Sequence, residues 1–420
     1  MNIYKNITNI LGRFLRKLEK YTKTDMVYLG SNISWISIGN GISSLASLGL
    51  VIVFGNLVSK NDYGIYQYVL SIAGVLSVTT LSGMNTSLVK AIASGSGGSL
   101  IEGIQTRIKW GILACIGSIG IGTYYFLNDN LILSMSFFVI AVFLPFMDSF
   151  TSYTSYLEGK KLFKQSAVFS SVISIIRVGV LVGTILLTKN IILIITTYIV
   201  ITTLLRGIAL LIVLKKIDRT QKSDPEVITY GKHLSLMRAL SGGISSLDNI
   251  LLFQFIGAAE LAIYSFAKTP VTKISGAFTP IASLAYPKFA ETSIETLKRT
   301  LPKKLVLLFC IMTGITVVYI ILAPFLFSLV LPEYMDSVLF SQIFALSLLF
   351  LPQKIVGSAL TAHKQQKALY VLSIANPIVR VASLVILIPI FGIIGVIISY
   401  LVGLLFNGIL SYYYFFKMKP

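Results

Sequence analysis

The side chains able to do chemistry here are charges placed inside apolar stretches. In residues 244–273, ISSLDNILLFQFIGAAELAIYSFAKTPVTK, two apolar segments meet at a short turn, Gly257-Ala258-Ala259-Glu260. The first carries a lone Asp248 and the second carries Lys268 and Lys273. An ionisable group at bilayer depth costs roughly 2.5–3.5 kcal/mol on insertion scales, so it faces a bundle interior or a watery cavity. Two lysines about one and a half turns apart on one helix point to a cavity that favours negative charge. At about 1.5 Å per residue, Arg177 and Arg380 fall near mid-bilayer, whereas Arg206 and Lys354 lie close enough to a surface to snorkel. Asp148 and Asp248 are the two acids at depth: each either carries a proton or sodium ion, or pairs with a neighbouring Arg or Lys.

The elements that must position these charges follow from composition. The 420 residues are 55% hydrophobic and 12% charged, with mean hydropathy +0.84. A soluble domain carries about 25% charged residues, so the fold class is an all-α polytopic membrane protein with no large soluble domain. Twelve spans are expected, near 32–57, 64–84, 107–127, 131–157, 162–187, 190–214, 233–257, 261–286, 303–329, 336–361, 366–389 and 393–416. Residues 1–28 interleave apolar positions at three and four with basic ones, the pattern of an interfacial amphipathic helix or of a basic tail. The organisation is then residues 1–28 on the membrane surface, a six-helix bundle over 29–214, a basic linker over 215–232, and a second bundle over 233–420.

Basic residues orient the spans. Of 35 Lys and Arg, 27 fall in segments on the side of the N-terminus, two (Lys60, Lys189) on the opposite side, and six within spans. By the positive-inside rule both termini are cytoplasmic, and the net charge of +19 is orienting charge, with no soluble basic domain to bind nucleic acid. Cys115 and Cys310 sit far apart in apolar spans as free thiols, and neither His233 nor His363 has metal-ligand spacing.

The two halves echo each other. Asp62-Tyr63-Gly64-Ile65-Tyr66 aligns with Glu260-Leu261-Ala262-Ile263-Tyr264, and Ile175-Ile176-Arg177-Val178-Gly179 with Ile378-Val379-Arg380-Val381-Ala382. Leu157-Glu158-Gly159-Lys160-Lys161 aligns with Leu360-Thr361-Ala362-His363-Lys364. A parallel six-plus-six repeat implies two bundles related by a pseudo-two-fold axis along the membrane normal, with a central cationic cleft and rocking between two states.

These motifs, with Gly83-Met84-Asn85-Thr86-Ser87-Leu88, Ser246-Leu247-Asp248 and Tyr156-Leu157-Glu158-Gly159, resemble those of Wzx-type O-antigen or capsule repeat-unit flippases. That family is the polysaccharide branch of the multidrug/oligosaccharidyl-lipid/polysaccharide (MOP) superfamily, which also holds the multidrug MATE transporters. The resemblance implies a transporter of the bacterial cytoplasmic (inner) membrane that carries undecaprenyl-pyrophosphate-linked oligosaccharide to the outer leaflet. It implies no cofactor beyond coupling to H+ or Na+, and as partners the lipid bilayer, a glycan polymerase and a chain-length regulator. On that reading Lys268, Lys273, Arg177 and Arg380 attract pyrophosphate or acidic sugars, and Asn40 and Ser44 of a Ser37-Asn40-Ser44-Ser47 stripe face sugar hydroxyls. Asp248 and Asp148 would serve ion coupling, and Pro270 would act as a hinge between the two lysines. The structural alternatives are arginines bonded to helix carbonyls or to an Asp, and a stripe used for small-residue packing. A MATE-like cation antiporter would want acids in place of these basic residues. A membrane glycan polymerase or ligase would want a long outside loop, and the longest here is about ten residues.

Overall fold

The computed structural model describes residues 26–217, 223–242 and 244–418; the expected amphipathic segment lies almost wholly outside them. The described residues form helices and turns with no strand. The N-terminal half is built from α1 (Met26–Leu57), α2 (Lys60–Leu76), α3 (Met84–Ala93), α4 (Ser99–Leu127), α5 (Leu131–Ser149), α6 (Ser152–Gly159), α7 (Phe163–Leu187) and α8 (Ile191–Leu214). The chain continues through α9 (Glu226–Gly242), α10 (Ile244–Phe255), α11 (Ala258–Glu291), α12 (Ile294–Val330) and α13 (Ser337–Ala345). It ends with α14 (Gln353–Ala362), α15 (Gln366–Phe391) and α16 (Ile393–Lys417).

Among the described residues nine helical segments are long and apolar enough to cross a membrane, or ten if α2 and α3, bent by 47° at their break, count as one span. The expectation was twelve. The two expected spans not among these, 233–257 and 261–286, lie on α9–α10 and α11. The second carries Lys268 and Lys273, and that polar content lowers its hydropathy.

Side-chain caps begin several helices. Asn130 Oδ1 accepts from Leu133 N at 3.1 Å, Asn190 Oδ1 accepts from Ile192 N at 2.9 Å, and Ser293 Oγ accepts from Thr296 N at 3.3 Å. At α2, Ser59 Oγ accepts from Asp62 N at 3.1 Å, and Asp62 places its negative charge in the first helical turn, where the helix dipole favours it.

The cores describe how the halves meet. One apolar core joins both halves at the end of the molecule that holds the turns near 58, 129, 189, 257, 331 and 392. At the opposite end there are two separate cores, one within the N-terminal half around Met84, Leu157 and Val213, and one around Leu301, Leu360 and Phe415. The halves therefore close on each other at one end and part toward the other. Helix α9 packs on the N-terminal half, where Ser87 Oγ donates to Val227 O at 2.6 Å. Helix α10 packs against α15 of the C-terminal half as well as α2, and α9 also touches α15, so this pair of helices carries the chain between the halves.

Gly64 sits at the closest crossing of the joined end. Its Cα faces the Ala258 backbone, and a Cβ there would run into that backbone. Small residues at such crossings let helices approach within a bilayer, where the surrounding lipid gives helix pairs no hydrophobic drive. Gly64→Val should force α2 and α11 apart at this point. The expected result is increased labelling of a cysteine placed at Ser337 by a water-soluble maleimide in intact membranes; unchanged labelling at normal expression would contradict the role of this crossing.

Candidate functional site

Gly257, at φ 138° in a region open mainly to glycine, turns the chain from α10 straight into α11. Counting at 1.5 Å per residue, Asp248 lies about 14 Å before that turn and Lys268 about 16 Å after it, so the antiparallel pair brings them level. Asp248 is fully buried. Its Oδ2 accepts from Arg380 Nη2 of α15 at 2.5 Å, from Tyr264 Oη at 3.1 Å and from Lys268 Nζ at 3.3 Å. Arg380 also lies over the Tyr400 ring at 4.9 Å, Tyr400 stacks on Phe344, and Phe344 meets Tyr264 edge-on. A closed aromatic and ionic cluster thus locks α10, α11, α13, α15 and α16 together. With one acid and two cations it keeps a net positive charge.

Lys273 is placed differently. Its Nζ donates to Ser47 Oγ at 2.7 Å and to Ser44 Oγ at 3.1 Å, both on α1 of the other half. No acid pairs with it among the described residues. It bridges the halves at the edge of their shared core, where Leu50, Val51 and Ile274 are the packed neighbours. Beyond it, toward the parted end, Asn40 and Ser37 of the same stripe are exposed. The opposite face of α1 does the packing: Gly39 lies against Ala167 of α7, and Ser171 Oγ donates to Gly39 O at 3.4 Å. The stripe and the small-residue contact therefore occupy different faces of one helix.

Arg177, the repeat counterpart of Arg380, has no counterpart to Asp248. It lies over the Tyr198 ring at 5.6 Å and reaches Ser174 Oγ at 3.5 Å, with no acid among the described residues. The repeat so preserves an arginine on a tyrosine of the following helix while leaving one arginine without a carboxylate.

Asp148 sits in a separate knot within the N-terminal half. Its Oδ2 accepts from Thr80 Oγ1 at 3.3 Å, and its Oδ1 lies 3.8 Å from Arg206, which donates to Met147 O at 2.9 Å. Beside it is Arg107, 2% exposed, donating to Asn85 Oδ1 at 2.6 Å, Ser152 Oγ at 2.9 Å, Thr80 O at 3.0 Å and Thr151 Oγ1 at 3.1 Å. Arg107 was expected among the orienting charges of a cytoplasmic segment; it is buried in α4, where four polar groups converge on it. Its signal in the sequence is the Asn85 of the Gly83–Leu88 motif, a polar residue with no other reason to lie in an apolar run. Helix α11 runs unbroken through Pro270, whereas among the described residues the α-helical backbone gives way at 77–83 and 346–352.

Across the joined end, Gln254 Nε2 donates to Tyr68 Oη at 2.6 Å and Tyr125 Oη at 2.8 Å, and Asn249 Nδ2 donates to Ser71 Oγ at 2.8 Å. Tyr68 stacks on Phe253 at 3.9 Å and Tyr63 meets Phe266 at 4.5 Å. At its rim, Lys60 pairs with Asp336 at 2.7 Å and Asn56 Nδ2 donates to Val330 O at 2.9 Å. None of these closing residues except Tyr63 and the Asp62–Tyr66 motif stood out in the sequence.

Residues 29–293 match a family described as polysaccharide biosynthesis protein. No curated protein matches the chain. Solved structures show the same fold at low identity. An outward-facing multidrug resistance MATE transporter of the MOP superfamily aligns at TM-score 0.58 and 15% identity, over 92% of this chain and 94% of that one. A MATE in complex with MaD5 aligns at TM-score 0.62 and 14% identity, over 94% and 96%. A MOP superfamily transporter from Pyrococcus furiosus, described as having a binding pocket of reversed polarity that suggests a different function, aligns at 0.55 and 14%, over 93% of each chain.

Removing one partner of a buried ion pair costs about 3–5 kcal/mol, whereas replacing the whole pair with apolar residues is close to neutral. Asp248→Asn should therefore lower the thermal unfolding temperature of the detergent-solubilised protein, and Asp248→Leu with Arg380→Met should recover most of it. A single mutant as stable as the wild type would contradict a structural role for the cluster.

Proposed function

The chain belongs to the polysaccharide biosynthesis protein family, and from that premise we propose that it moves an anionic, lipid-linked oligosaccharide across the membrane. The cargo we propose is an undecaprenyl-pyrophosphate-linked repeat unit for O-antigen, capsule or exopolysaccharide synthesis, carried from the cytoplasmic to the outer leaflet. The observation that carries this reading is Lys273. A cation inside the bilayer, held among the described residues by two serine hydroxyls and set where the halves begin to part, is a site prepared for an anion. Arg177, which meets no acid among the described residues, supplies a second such charge, and its planar fork suits phosphate oxygens. The polar face of α1 that includes Asn40 and Ser44 would meet sugar hydroxyls.

The excess of 27 basic residues to two supports a parted end that faces the cytoplasm, so the structure would stand open to the side on which lipid-linked repeat units are assembled. Export then requires the joined end to open. The hydrogen bonds across it from Asn56, Asn249 and Gln254 are each worth about 0.6 kcal/mol by membrane double-mutant cycles, weak enough to break in turn. We assign ion coupling, to H+ or Na+, to Asp248 or Asp148, the carboxylates held within the helical bundle. Asp248 is the better placed: an arriving anion that draws Lys268 or Arg380 away would free its charge for an ion. A glycan polymerase and a chain-length regulator would take the product on the outer side.

A cation antiporter on the same fold would need carboxylates in the cleft, and the two acids here are already matched by basic partners. In proteoliposomes loaded with lipid-linked oligosaccharide, Lys273→Gln should cut the flipping rate about tenfold or more, the effect of losing one charge-assisted contact of roughly 1.5–3 kcal/mol. Lys273→Arg should retain most of it. Wild-type rates in Lys273→Gln would remove the lysine from the substrate site, and absence of any flipping by the wild-type protein, with efflux of a lipophilic cation instead, would overturn the proposed cargo.

A further inference from the structure

The interruption at 346–352, which ends at Pro352, leaves a gap in the lipid-facing side of the C-terminal half. An apolar groove of about 760 Å³ opens there between α12, the 346–352 turn and α16, away from the cleft between the halves. Its walls include Pro302, Val306 and Phe309 on α12, Phe350 at the inner end, and Ile409 and Phe416 on α16. Val306 and Ile409 are 64% and 60% exposed, so the groove faces outward. Gly408 lies against Gln353 and keeps the floor of the groove low.

The groove has a depth and a charge. From Leu405 to Phe416 it follows α16 for about 16 Å, close to half of a ~30 Å hydrocarbon core, so it spans one leaflet. At its outer mouth the stripe of α12 that lines it, at positions 302, 305, 306 and 309, continues one turn back to Lys298 and Arg299, with Lys303 on its edge. Lys298 ties α12 to the end of α16, donating to Phe416 O and Met418 O at 2.6 Å each. Arg299, Lys303 and Lys304 are exposed. The acid nearest in the α12 sequence is Glu295, a further turn away.

We propose that this groove is a binding site for an anionic phospholipid of the leaflet on the side of the chain termini, with an acyl chain along α16 and the phosphate at Arg299 and Lys303. Basic pockets between transmembrane helices on the cytoplasmic side take anionic headgroups in this way. A groove that ends within one leaflet fits an acyl chain and is too short for a long polyisoprenyl chain. The site goes beyond the proposed transport, since it lies outside the cleft and would hold its lipid whatever the cargo.

Native mass spectrometry of the full-length, delipidated protein with added dioleoyl-phosphatidylglycerol or dioleoyl-phosphatidylethanolamine tests this. Phosphatidylglycerol should bind in preference, and Arg299→Gln/Lys303→Gln should weaken it about tenfold or more. Ile409→Trp, which fills the groove without removing charge, should also displace the lipid. Lys109→Gln/Lys215→Gln, removing as much charge from the N-terminal half, should leave binding unchanged. Equal binding of the two lipids, equal loss in the Lys109/Lys215 control, or recovery of a polyisoprenyl phosphate as the retained species would each overturn the proposal.

Discussion

A carboxylate with no exposure, set inside a membrane protein, must be neutralised where it stands, and much of the C-terminal half is arranged around doing so for Asp248. Arg380, Lys268 and Tyr264 reach it from two other helices, and the rings of Tyr400 and Phe344 enclose them. Breaking such a pair costs several kcal/mol unless another charge replaces it, so while it is intact these helices move together. The N-terminal half has its own knot, where Arg107, Asp148, Arg206 and Asn85 tie α3, α4, α5, α6 and α8. Among the described residues the polar contacts between the halves are neutral hydrogen bonds and an exposed ion pair, each worth about 1 kcal/mol or less, and Lys273 on two serine hydroxyls, with no buried carboxylate among them. Strong ties within each half and weak ones between them are what two rigid bodies need if they are to rock.

The same accounting separates the intramembrane cations by use. Arg380, Arg206 and Lys268 have acids, and Arg107 has a shell of neutral acceptors beside one. Lys273 and Arg177 have only hydroxyls and a ring among the described residues. The repeat makes the contrast sharper, because Arg177 and Arg380 occupy equivalent positions while only one meets a carboxylate. Position in the repeat gives an arginine its tyrosine; the charge opposite it is particular to each half.

Much of this could be read along the chain. Alternation of basic turns and apolar runs gave the two halves, and the spacing of Asp248, Gly257 and Lys268 places the acid level with the lysine once Gly257 is taken as a tight turn. Asp248 meeting Arg380 could not be read, because the two are 132 residues apart and only packing brings α15 onto α10. Arg107 was misplaced for a related reason: a basic residue near the end of a span looks like a surface charge until Asn85, Thr151 and Ser152 are seen to converge on it. Of the expected spans, 261–286 misses the hydropathy of a span because Lys268 and Lys273 lie within α11. Pro270 lies within that unbroken helix.

The central claim is that Lys273, a cation that meets no acid among the described residues at the point where the halves part, receives the anionic head of a lipid-linked glycan during export. The most direct measurement is the sidedness of undecaprenyl-linked glycan in cells lacking the protein, read with an impermeant lectin on spheroplasts. Complete repeat units should accumulate facing the cytoplasm. Wild-type protein should return them to the outer face, and equally expressed Lys273→Ala should not. Repeat units that reach the outer face normally without the protein, in a host with no second transporter of this family, would contradict the account.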